Sequence, residues 1–303
     1  MNTLVTGGAG FIGSLLSAAL ISRNNKVSVL DNLSTGKREK VGDSIKFYQG
    51  DLRDRAFVKR VIVEEKPEII YHLAAQASVP ESLKNPVEDA DINIIGTLNL
   101  LDLAVEYQVK KVVFASSAAV YGIPRYLPID ESHPVEVLSG YAVSKFTVEQ
   151  YLSVYKYLYG LDYTVLRYAN VYGPGQSSAA EGGVVAIFKQ NILDDKAPVI
   201  FSDGEQTRDF IFVQDVVEAN LAAMTLGSGK VINISTGKST TINSVLKLLQ
   251  GICEKQCSPV YHSARSGDIR DSVLDNKLAE EVLAWQASYS LEKGLKILID
   301  KIS

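Results

Sequence analysis

The fold is decided by the start of the chain, where a short apolar stretch, Asn2–Thr6 (NTLVT), leads into residues 7–13 (GGAGFIG) and then into an apolar helical stretch over 14–22. Within this turn, glycines recur in a G-x-x-G-x-x-G spacing. We interpret Gly7 as turning the backbone off the strand, Gly10 as letting the main chain approach a pyrophosphate, and Gly13 as letting the helix pack close to the strand. An ordinary glycine-rich turn is the alternative, but the order strand, turn, helix, second strand is typical of a dinucleotide-binding unit whose helix N-terminus faces phosphates.

Composition sets broad limits on the partners of the chain. The 303 residues are 46% hydrophobic and 22% charged, with a net charge of −4, and no basic tract indicates a nucleic-acid partner. Cys253 and Cys257 lie four apart in a predicted helix and so share one face, but two ligands do not make a zinc site, and we expect reduced thiols and no metal. The chain enters a strand without a signal-peptide pattern and has no apolar run long enough for a bilayer, so we expect a cytoplasmic protein with no membrane partner.

Alternating strand-like and helical runs up to about residue 170 indicate a parallel sheet wrapped by helices. The predicted strands after the first are 26–30, 45–49, 68–73, 111–115 and 163–167. The texture changes after them: a loop over 172–183 precedes predicted helices at 184–193, 213–226 and 242–256 and strands at 198–201 and 231–234. We therefore predict an α/β fold, a Rossmann-type doubly wound domain over 1–170 with a smaller α/β substrate lobe over 171–303 packed against it. The cleft between the two is the expected substrate site.

Polar and small residues follow the carboxyl ends of the predicted strands, where open α/β sheets bind their ligands. Asp31 ends the second strand and can accept both adenosine-ribose hydroxyls, which favours NAD; nearby Lys37 and Arg38 keep NADP open, and a plain strand-end turn is the alternative. The third strand leads into Asp51-Leu52. The fourth leads into residues 73–76 (LAAQ), where small alanines let the backbone pass near a cofactor or simply pack tightly. His72, inside that strand, is expected to be a buried structural histidine.

Tyr141 and Lys145 are four apart in a helical stretch and so lie on one helix face. A nearby ammonium and an oxidised nicotinamide favour the phenolate, which enables Tyr141 to take a hydroxyl proton while a hydride leaves the same carbon. Ser116 and Ser117 end the strand at 111–115, where a serine can hydrogen-bond a substrate oxygen as its charge changes. The tyrosine–lysine spacing alone is common on helix surfaces, but together with the glycine turn and the strand-end serines it indicates a dehydrogenase-type centre.

Further motifs extend this pattern over most of the chain. The chain resembles the extended short-chain dehydrogenase/reductases in the following stretches: 6–13 (TGGAGFIG), 31–36 (DNLSTG), 50–54 (GDLRD), 72–76 (HLAAQ), 116–122 (SSAAVYG), 141–145 (YAVSK), 167–175 (RYANVYGPG) and 204–210 (GEQTRDF). Within that superfamily the chain is most similar to UDP-glucose 4-epimerases and their nucleotide-sugar relatives, from residue 1 to about 272.

The resemblance implies roles for the matching positions. It makes Ser117, Tyr141 and Lys145 the catalytic set. It assigns the binding of tightly held, recycled NAD to Gly7, Gly10, Phe11, Ile12, Gly13, Asp31, Asn32, Ser34, Thr35, Gly36, Asp51, Leu52, Leu73, Ala74, Ala75, Gln76, Asn93, Ser116, Tyr141, Lys145 and Tyr168. It assigns the UDP-sugar to Ser117, Tyr141, Asn170, Val184, Val185, Phe201, Arg208, Arg265, Asp268 and Ser272, with the asparagine and the two arginines at the diphosphate, Phe201 at the uracil and Asp268 at the ribose.

The activity that the resemblance implies is reversible inversion at C4 of UDP-hexoses through a 4-keto sugar. Relatives that dehydrate carry an acidic pair where this chain has Ala118 and Ala119, so dehydration is not expected. Ser272 occupies a place where a bulky or a small residue occurs in relatives, and its small side chain predicts tolerance of 2-N-acetylated sugars. The alternatives are a UDP-glucuronate 4-epimerase or decarboxylase, a reductase that releases NADH, and a non-enzymatic NAD-binding sensor. The resemblance also implies a homodimer through helices near 86–107 and 143–159, which could instead simply cover the sheet.

Overall fold

The computed structural model describes residues 1–178, 183–264 and 269–300. Its strands, in chain order, are β1 Asn2–Thr6, β2 Lys26–Asp31, β3 Lys46–Gln49, β4 Ile69–His72, β5 Lys111–Ser117, β6 Asp162–Tyr168, β7 Asn170–Tyr172, β8 Val199–Phe201, β9 Thr207–Arg208, β10 Phe210–Phe212, β11 Lys230–Ile234, β12 Thr240–Thr241 and β13 Val260–His262. Its α-helices are α1 Phe11–Ser22, α2 Arg55–Glu65, α3 Val79–Lys84, α4 Pro86–Ala90, α5 Gly96–Glu106, α6 Gly140–Tyr159, α7 Val184–Leu193, α8 Val213–Ala223, α9 Ile242–Cys253, α10 Lys277–Leu283 and α11 Leu291–Asp300.

Seven parallel strands form the central sheet in the order β11-β6-β5-β4-β1-β2-β3. The chain runs outward from β1 to β3, then crosses back to β4 and continues outward on the other side. The order of the strands therefore reverses between β1 and β4, and the crevice above their carboxyl ends is where a doubly wound sheet binds its ligand. The predicted fold class, a Rossmann-type parallel sheet, is confirmed.

Local sequence explains where the helices that carry the site begin and end. The Ser139 hydroxyl accepts the Ala142 N–H at the start of α6, and Gly160, with φ +74°, ends that helix in a left-handed turn. Asp54 caps α2 in the same way, accepting the N–H of Phe57. By contrast, Gly10 is the N-cap of α1 and has no side chain, so it contributes no capping hydrogen bond to the helix that follows the glycine turn.

Helices cover both faces of the sheet. On one face, apolar residues of α1 and α8 pack against the strands; on the other face, those of α2, α5 and α6 do so. A separate core lies between α7, α9 and α11, around Phe188, Leu249 and Leu295. No helix in the described ranges pairs the length with the apolar character needed to cross a membrane.

The elements lie close to their predicted positions, with three informative differences. The helical stretch predicted near 86–107 contains a π-helical turn, Asp91–Ile95, between α4 and α5. The chain crosses residue 170 and then returns to the large sheet, where β11 forms the edge strand and α8 packs against one face. The helix predicted to reach residue 256 ends at Cys253, where Glu254 takes a left-handed conformation, so Cys253 and Cys257 do not share a helix face as predicted; both are free thiols.

Candidate active site

The turn between β1 and α1 is built from backbone that leaves no room for side chains. Gly7 has φ +70°, and a Cβ on it would lie 2.6 Å from the Ala74 amide nitrogen. A Cβ on Gly13 would lie 2.2 Å from the Gly7 carbonyl oxygen, so this glycine lets α1 pack against the turn itself rather than against the strand. A Cβ on Gly8 would lie 2.6 Å from a methyl group of Val29 on β2, so a third glycine of the turn, which the G-x-x-G-x-x-G spacing does not include, is also required.

The Asp31 carboxylate closes this turn from the end of β2. It accepts the Ala9 N–H at 2.9 Å and the Leu33 N–H at 2.8 Å, and the residue is almost fully buried. Beyond it, a Cβ on Gly36 would contact Ala9 and the carboxylate at 3.0 Å, so the loop after β2 lies directly on the glycine turn. Asp31 thus makes the strand-end turn that was the alternative interpretation, and two hydrogen bonds leave further lone pairs of the carboxylate for another donor.

Asp51, at the end of β3, is held as a carboxylate. Arg53 pairs with it through two guanidinium contacts, at 2.9 and 3.0 Å, and Asn32 donates to it at 3.0 Å. The hydrogen bonds from Arg53 hold the pKa of Asp51 well below its usual range. The ends of β2 and β3 are therefore tied together at the edge of the crevice.

A buried chain of hydrogen bonds joins β1 to the loop after β4. Ala74 N–H donates to Thr6 Oγ1 at 3.3 Å, and Thr6 Oγ1 lies 2.7 Å from His72 Nδ1. His72 Nε2 lies 2.8 Å from Thr97 Oγ1, and that hydroxyl donates to the Asn93 carbonyl at 2.6 Å. Because the Thr97 hydroxyl donates its proton to that carbonyl, it accepts a hydrogen bond from His72 Nε2. His72 Nδ1 then accepts a hydrogen bond from the Thr6 hydroxyl. Burial, with the Lys145 ammonium nearby, lowers the pKa of His72 to about 3, so the ring is neutral and structural, as predicted.

Asn93 extends this network to the helix that carries the tyrosine and the lysine. Its amide accepts the Gln76 N–H at 2.8 Å and donates to the Gln76 carbonyl at 3.0 Å. The same amide nitrogen lies 3.0 Å from Ser144 Oγ on α6 and 3.2 Å from Asp89 Oδ1 on α4. The π-helical turn places Asn93 at this junction, where it bridges the strand-end loop and α6.

Lys145 points inward from α6 toward the sheet. Its Nζ donates to the Ala115 carbonyl at 2.8 Å and lies 4.8 Å from the centre of the Phe114 ring and 5.8 Å from that of Tyr141. Burial lowers the pKa of Lys145 to about 8, although the Asp89 and Glu149 carboxylates act against that change. Tyr141 and Lys145 therefore lie on one face of α6, as predicted.

The two strand-end serines point in opposite directions because side chains alternate along β5. Ser116 is buried, and its hydroxyl donates to the Glu149 carboxylate of α6. Ser117 is only half-buried, and its Oγ accepts the N–H of Ala119 in the 3₁₀ turn Ala118–Tyr121. Ser117 is therefore the more accessible of the two side chains, while the hydroxyl group of Ser116 is bonded to Glu149. The binding of a cofactor by Ser116 stays a prediction.

The adjacent ends of β6 and β7 carry the next two predicted residues. The Tyr168 hydroxyl lies 3.0 Å from Asn220 Oδ1 on α8, and the tyrosine is buried in the core. Asn170 is exposed, and its N–H donates to the Asp209 carbonyl. The buried Asp209 carboxylate accepts hydrogen bonds from residues 236 and 237 and so holds β10 against the end of β11.

The predicted sugar-nucleotide residues come from segments far apart in the chain. Val184 begins α7, and Val185 is buried in the apolar core of that lobe. Phe201 ends β8, with its ring centre 5.9 Å from that of His262. Arg208 donates to the Thr207 carbonyl at 2.7 Å, and the Ser272 N–H donates to the same carbonyl at 3.2 Å. The predicted residues Arg265 and Asp268 lie outside the described residues.

The carboxyl ends of β1, β2 and β4 carry the glycine turn, the Asp31 carboxylate and the small Ala74. These groups fit a bound dinucleotide. Among the described residues, no group of three or more His, Cys, Asp and Glu side chains could hold a metal ion. Glu149 is not among the predicted site residues, although a carboxylate four residues after Lys145 on the same helix face was a signal in the sequence. Fold and site together define a class: nucleotide-cofactor enzymes of the Rossmann type with a tyrosine–lysine centre on the helix after β5.

Comparison with known proteins narrows this class. Residues 3–235 match the NAD dependent epimerase/dehydratase family, and the chain belongs to that family. A putative UDP-glucose 4-epimerase of Methanocaldococcus jannaschii is 42% identical over 298 residues, which cover 98% of this chain and 97% of the relative. The structure is similar to that of UDP-glucose 4-epimerase from Thermotoga maritima with UDP-glucose, at 45% identity and a TM-score of 0.98, covering 100% of this chain and 98% of that one. It is also similar to UDP-N-acetylglucosamine 4-epimerase from Methanobrevibacter ruminantium in complex with UDP-N-acetylmuramic acid, at 36% identity and a TM-score of 0.94, covering 99% and 97%.

Proposed function

We propose that the protein is a UDP-hexose 4-epimerase that interconverts UDP-glucose and UDP-galactose with bound NAD. The observation that carries the proposal is the tyrosine–lysine pair of α6, whose lysine donates to the Ala115 carbonyl two residues before Ser117, in a chain that aligns over nearly its whole length with a putative UDP-glucose 4-epimerase. The predicted roles of the individual residues belong to this proposal.

NAD would be held along the crevice between β1 and β4. The turn at Gly7 and Gly10 would receive the pyrophosphate, Asp31 the adenosine ribose, and Ala74 and Lys145 the nicotinamide half. When bound, NAD supplies an acceptor and donor of hydride for a carbon that bears a hydroxyl group. The carboxylate of Asp31 disfavours the 2′-phosphate of NADP by charge repulsion.

Side chains of this chain would transfer the proton and hydrogen-bond the reacting oxygen. Tyr141, with the Lys145 ammonium on the same helix face, would take the proton of the sugar 4-hydroxyl group, and Ser117 would hydrogen-bond the same oxygen as it becomes a carbonyl oxygen. Asn170 and Arg208 would hold the diphosphate while the 4-keto sugar turns its opposite face to the site. Tyr141 would then return the proton to the inverted centre.

The size of Ser272 supports a wider substrate range. Its backbone is tied to β9 by the N–H bond to Thr207, and its side chain is small, so we propose that 2-N-acetylated hexoses are also accepted. The alternatives within the family are UDP-glucuronate as the sugar, and a decarboxylase or reductase reaction in place of inversion.

The test is a product assay with the purified full chain. UDP-glucose, UDP-N-acetylglucosamine and UDP-glucuronate would be incubated separately with the protein, and the products read by proton NMR. We expect the matching galacto epimers of the first two with no net consumption of NAD. Release of carbon dioxide or of NADH would support a family alternative, and no conversion with NAD bound would support a different nucleotide sugar or the non-enzymatic sensor.

We also propose a homodimer. Along the outer face of α6, Val143, Tyr151, Val154 and Leu158 are exposed at helical spacing, and Ile95 is exposed on the neighbouring π-helical turn. Such a stripe of unpaired apolar side chains is typical of a helix–helix interface. Light scattering of the wild type and of Val154→Lys would test it: we expect a dimer and a monomer, respectively.

The cytoplasmic location and the domain division at residue 170 stay predictions, the latter with β11 and α8 added to the cofactor-binding layer.

A further inference from the structure

One buried carboxylate, on Glu149, lies where three segments that carry predicted site residues meet: α6, β5 and β6. Glu149 is 3% exposed and lies on α6, one turn after Lys145 and two turns after Tyr141. It accepts hydrogen bonds from Arg167 through Nε at 3.0 Å and Nη2 at 2.5 Å, and from the Ser116 hydroxyl. The proposed mechanism gives this group no role.

The donors of these bonds are fixed relative to each other by the sheet. Ser116 on β5 and Arg167 on β6 are direct partners in the parallel register, and each is followed by a predicted site residue, Ser117 and Tyr168. The Arg167 guanidinium also lies 4.7 Å from the ring centre of Tyr121, in the turn that follows Ser117. A single carboxylate thus connects α6 to the ends of β5 and β6 and, through Arg167, to that turn.

We propose that Glu149 is a positioning residue, which sets the distance between Tyr141 and Lys145 on α6 and the Ser117 hydroxyl at the end of β5. The chemistry fits this role, because a bidentate guanidinium–carboxylate pair with a third hydrogen bond restricts both direction and distance. Its charge also supports the buried ammonium one turn away: Glu149 and Asp89 both raise the pKa of Lys145 against the effect of burial. The role in turnover rests on the proposed function; the geometric role does not.

The test separates positioning from stability with two variants. Ser116→Ala removes one hydrogen bond to Glu149 and changes no charge. The double variant Glu149→Met with Arg167→Met replaces the buried ion pair by apolar side chains of similar volume, a change that often preserves stability. The control, Arg23→Met with Glu218→Met, removes an exposed pair whose charged atoms lie 2.6 Å apart, between the residue that follows α1 and α8.

We expect both test variants to melt within a few degrees of the wild type and to retain NAD, while kcat falls by about 5- to 100-fold and KM for UDP-glucose changes by less than about twofold. We expect the control to keep kcat within about twofold. Unchanged kcat in both test variants would overturn the proposal, and so would a loss of kcat that only follows a loss of NAD or of the melting temperature.

A second measurement does not depend on the reaction. Ultraviolet titration of each variant against its Tyr141→Phe counterpart gives the pH at which the Tyr141 phenol ionises. Titratable groups near that phenol include Lys145 on the same helix and Tyr168 on β6. Because Ser116→Ala changes no charge, we expect its midpoint to rise as the ammonium is held less closely, and an unmoved midpoint would count against positioning. If the wild type epimerises no UDP-sugar, the proposed function fails and this titration still decides the proposal.

Discussion

The two ends of the crevice are built in different ways. At the cofactor end, the part proposed for the pyrophosphate and the adenosine ribose lies within the first 36 residues, where backbone atoms of Gly7 and Gly13 pack against each other and Asp31 accepts the Ala9 N–H. The sugar-nucleotide end takes its predicted residues from β7, α7, β8, β9 and the segment around Ser272. The first end depends on the absence of side-chain volume, whereas the second depends on long-range packing. This difference predicts distinct responses to mutation.

The largest effect is expected at Tyr141, where the two ends meet. Tyr141→Phe keeps the ring and removes the hydroxyl group that is proposed to carry the proton, so kcat should fall by about 10²- to 10⁴-fold. The measurement is the rate of UDP-galactose formation, with bound NAD quantified in parallel. Tyr157→Phe, an exposed position on the same helix, is the control and should keep the wild-type rate. Most of the activity remaining in Tyr141→Phe would contradict the assignment.

A methyl group added to the cofactor end tests whether backbone packing matters there. Gly13→Ala would place a Cβ 2.2 Å from the Gly7 carbonyl oxygen, and we expect the free energy of unfolding to fall by about 3 kcal/mol, with loss of bound NAD. Gly251→Ala is the matched control, since Gly251 lies in α9 with no atom within 4 Å of an added Cβ. It should gain about 0.5–1 kcal/mol. Urea unfolding of both variants measures the difference, and similar values for the two would refute the packing argument.

At the sugar-nucleotide end, the change should appear in substrate binding instead. Arg208→Met removes a guanidinium group that we propose to pair with the diphosphate, so KM for UDP-glucose should rise by about 10-fold, or about 1.4 kcal/mol, with NAD retained. Arg270→Met removes an arginine that pairs with Asp203 on the exposed surface and should leave KM within about twofold. An equal rise in both variants would indicate a general charge effect rather than a specific pair.

The smallest effect near neutral pH is expected from His72. Its pKa is about 3 in the folded protein and ordinarily about 6.5, so between these values the unfolded state binds the proton and the folded state does not. The free energy of unfolding should therefore fall as the pH drops below about 6.5, by up to about 1.4 kcal/mol per pH unit. His72→Gln should lack this part of the slope. His262→Gln, which removes an exposed histidine, should keep this part of the slope. Equal slopes in the wild type and His72→Gln would contradict the buried chain of hydrogen bonds through His72.

Much of the cofactor end could be predicted because its determinants are local. The glycine spacing, the acidic end of β2 and the i, i+4 spacing of Tyr141 and Lys145 are all readable within a few residues. The importance of Gly8 was not, because the atoms that exclude its Cβ belong to Val29 on the next strand. The end of α9 at Cys253 was also missed, since the left-handed Glu254 that ends the helix is not a glycine.

By itself, the sequence determined the parallel α/β class, the turn after β1 and the helix face of Tyr141 and Lys145, because strand alternation, helix periodicity and glycine geometry act over short distances. Only the tertiary structure decided that β11 completes the sheet beside β6, and that Arg167 and Ser116 both donate to the buried Glu149 carboxylate. Such pairings join residues up to 66 positions apart, as for β11 and β6, and depend on which surfaces remain to be buried once the local elements have formed.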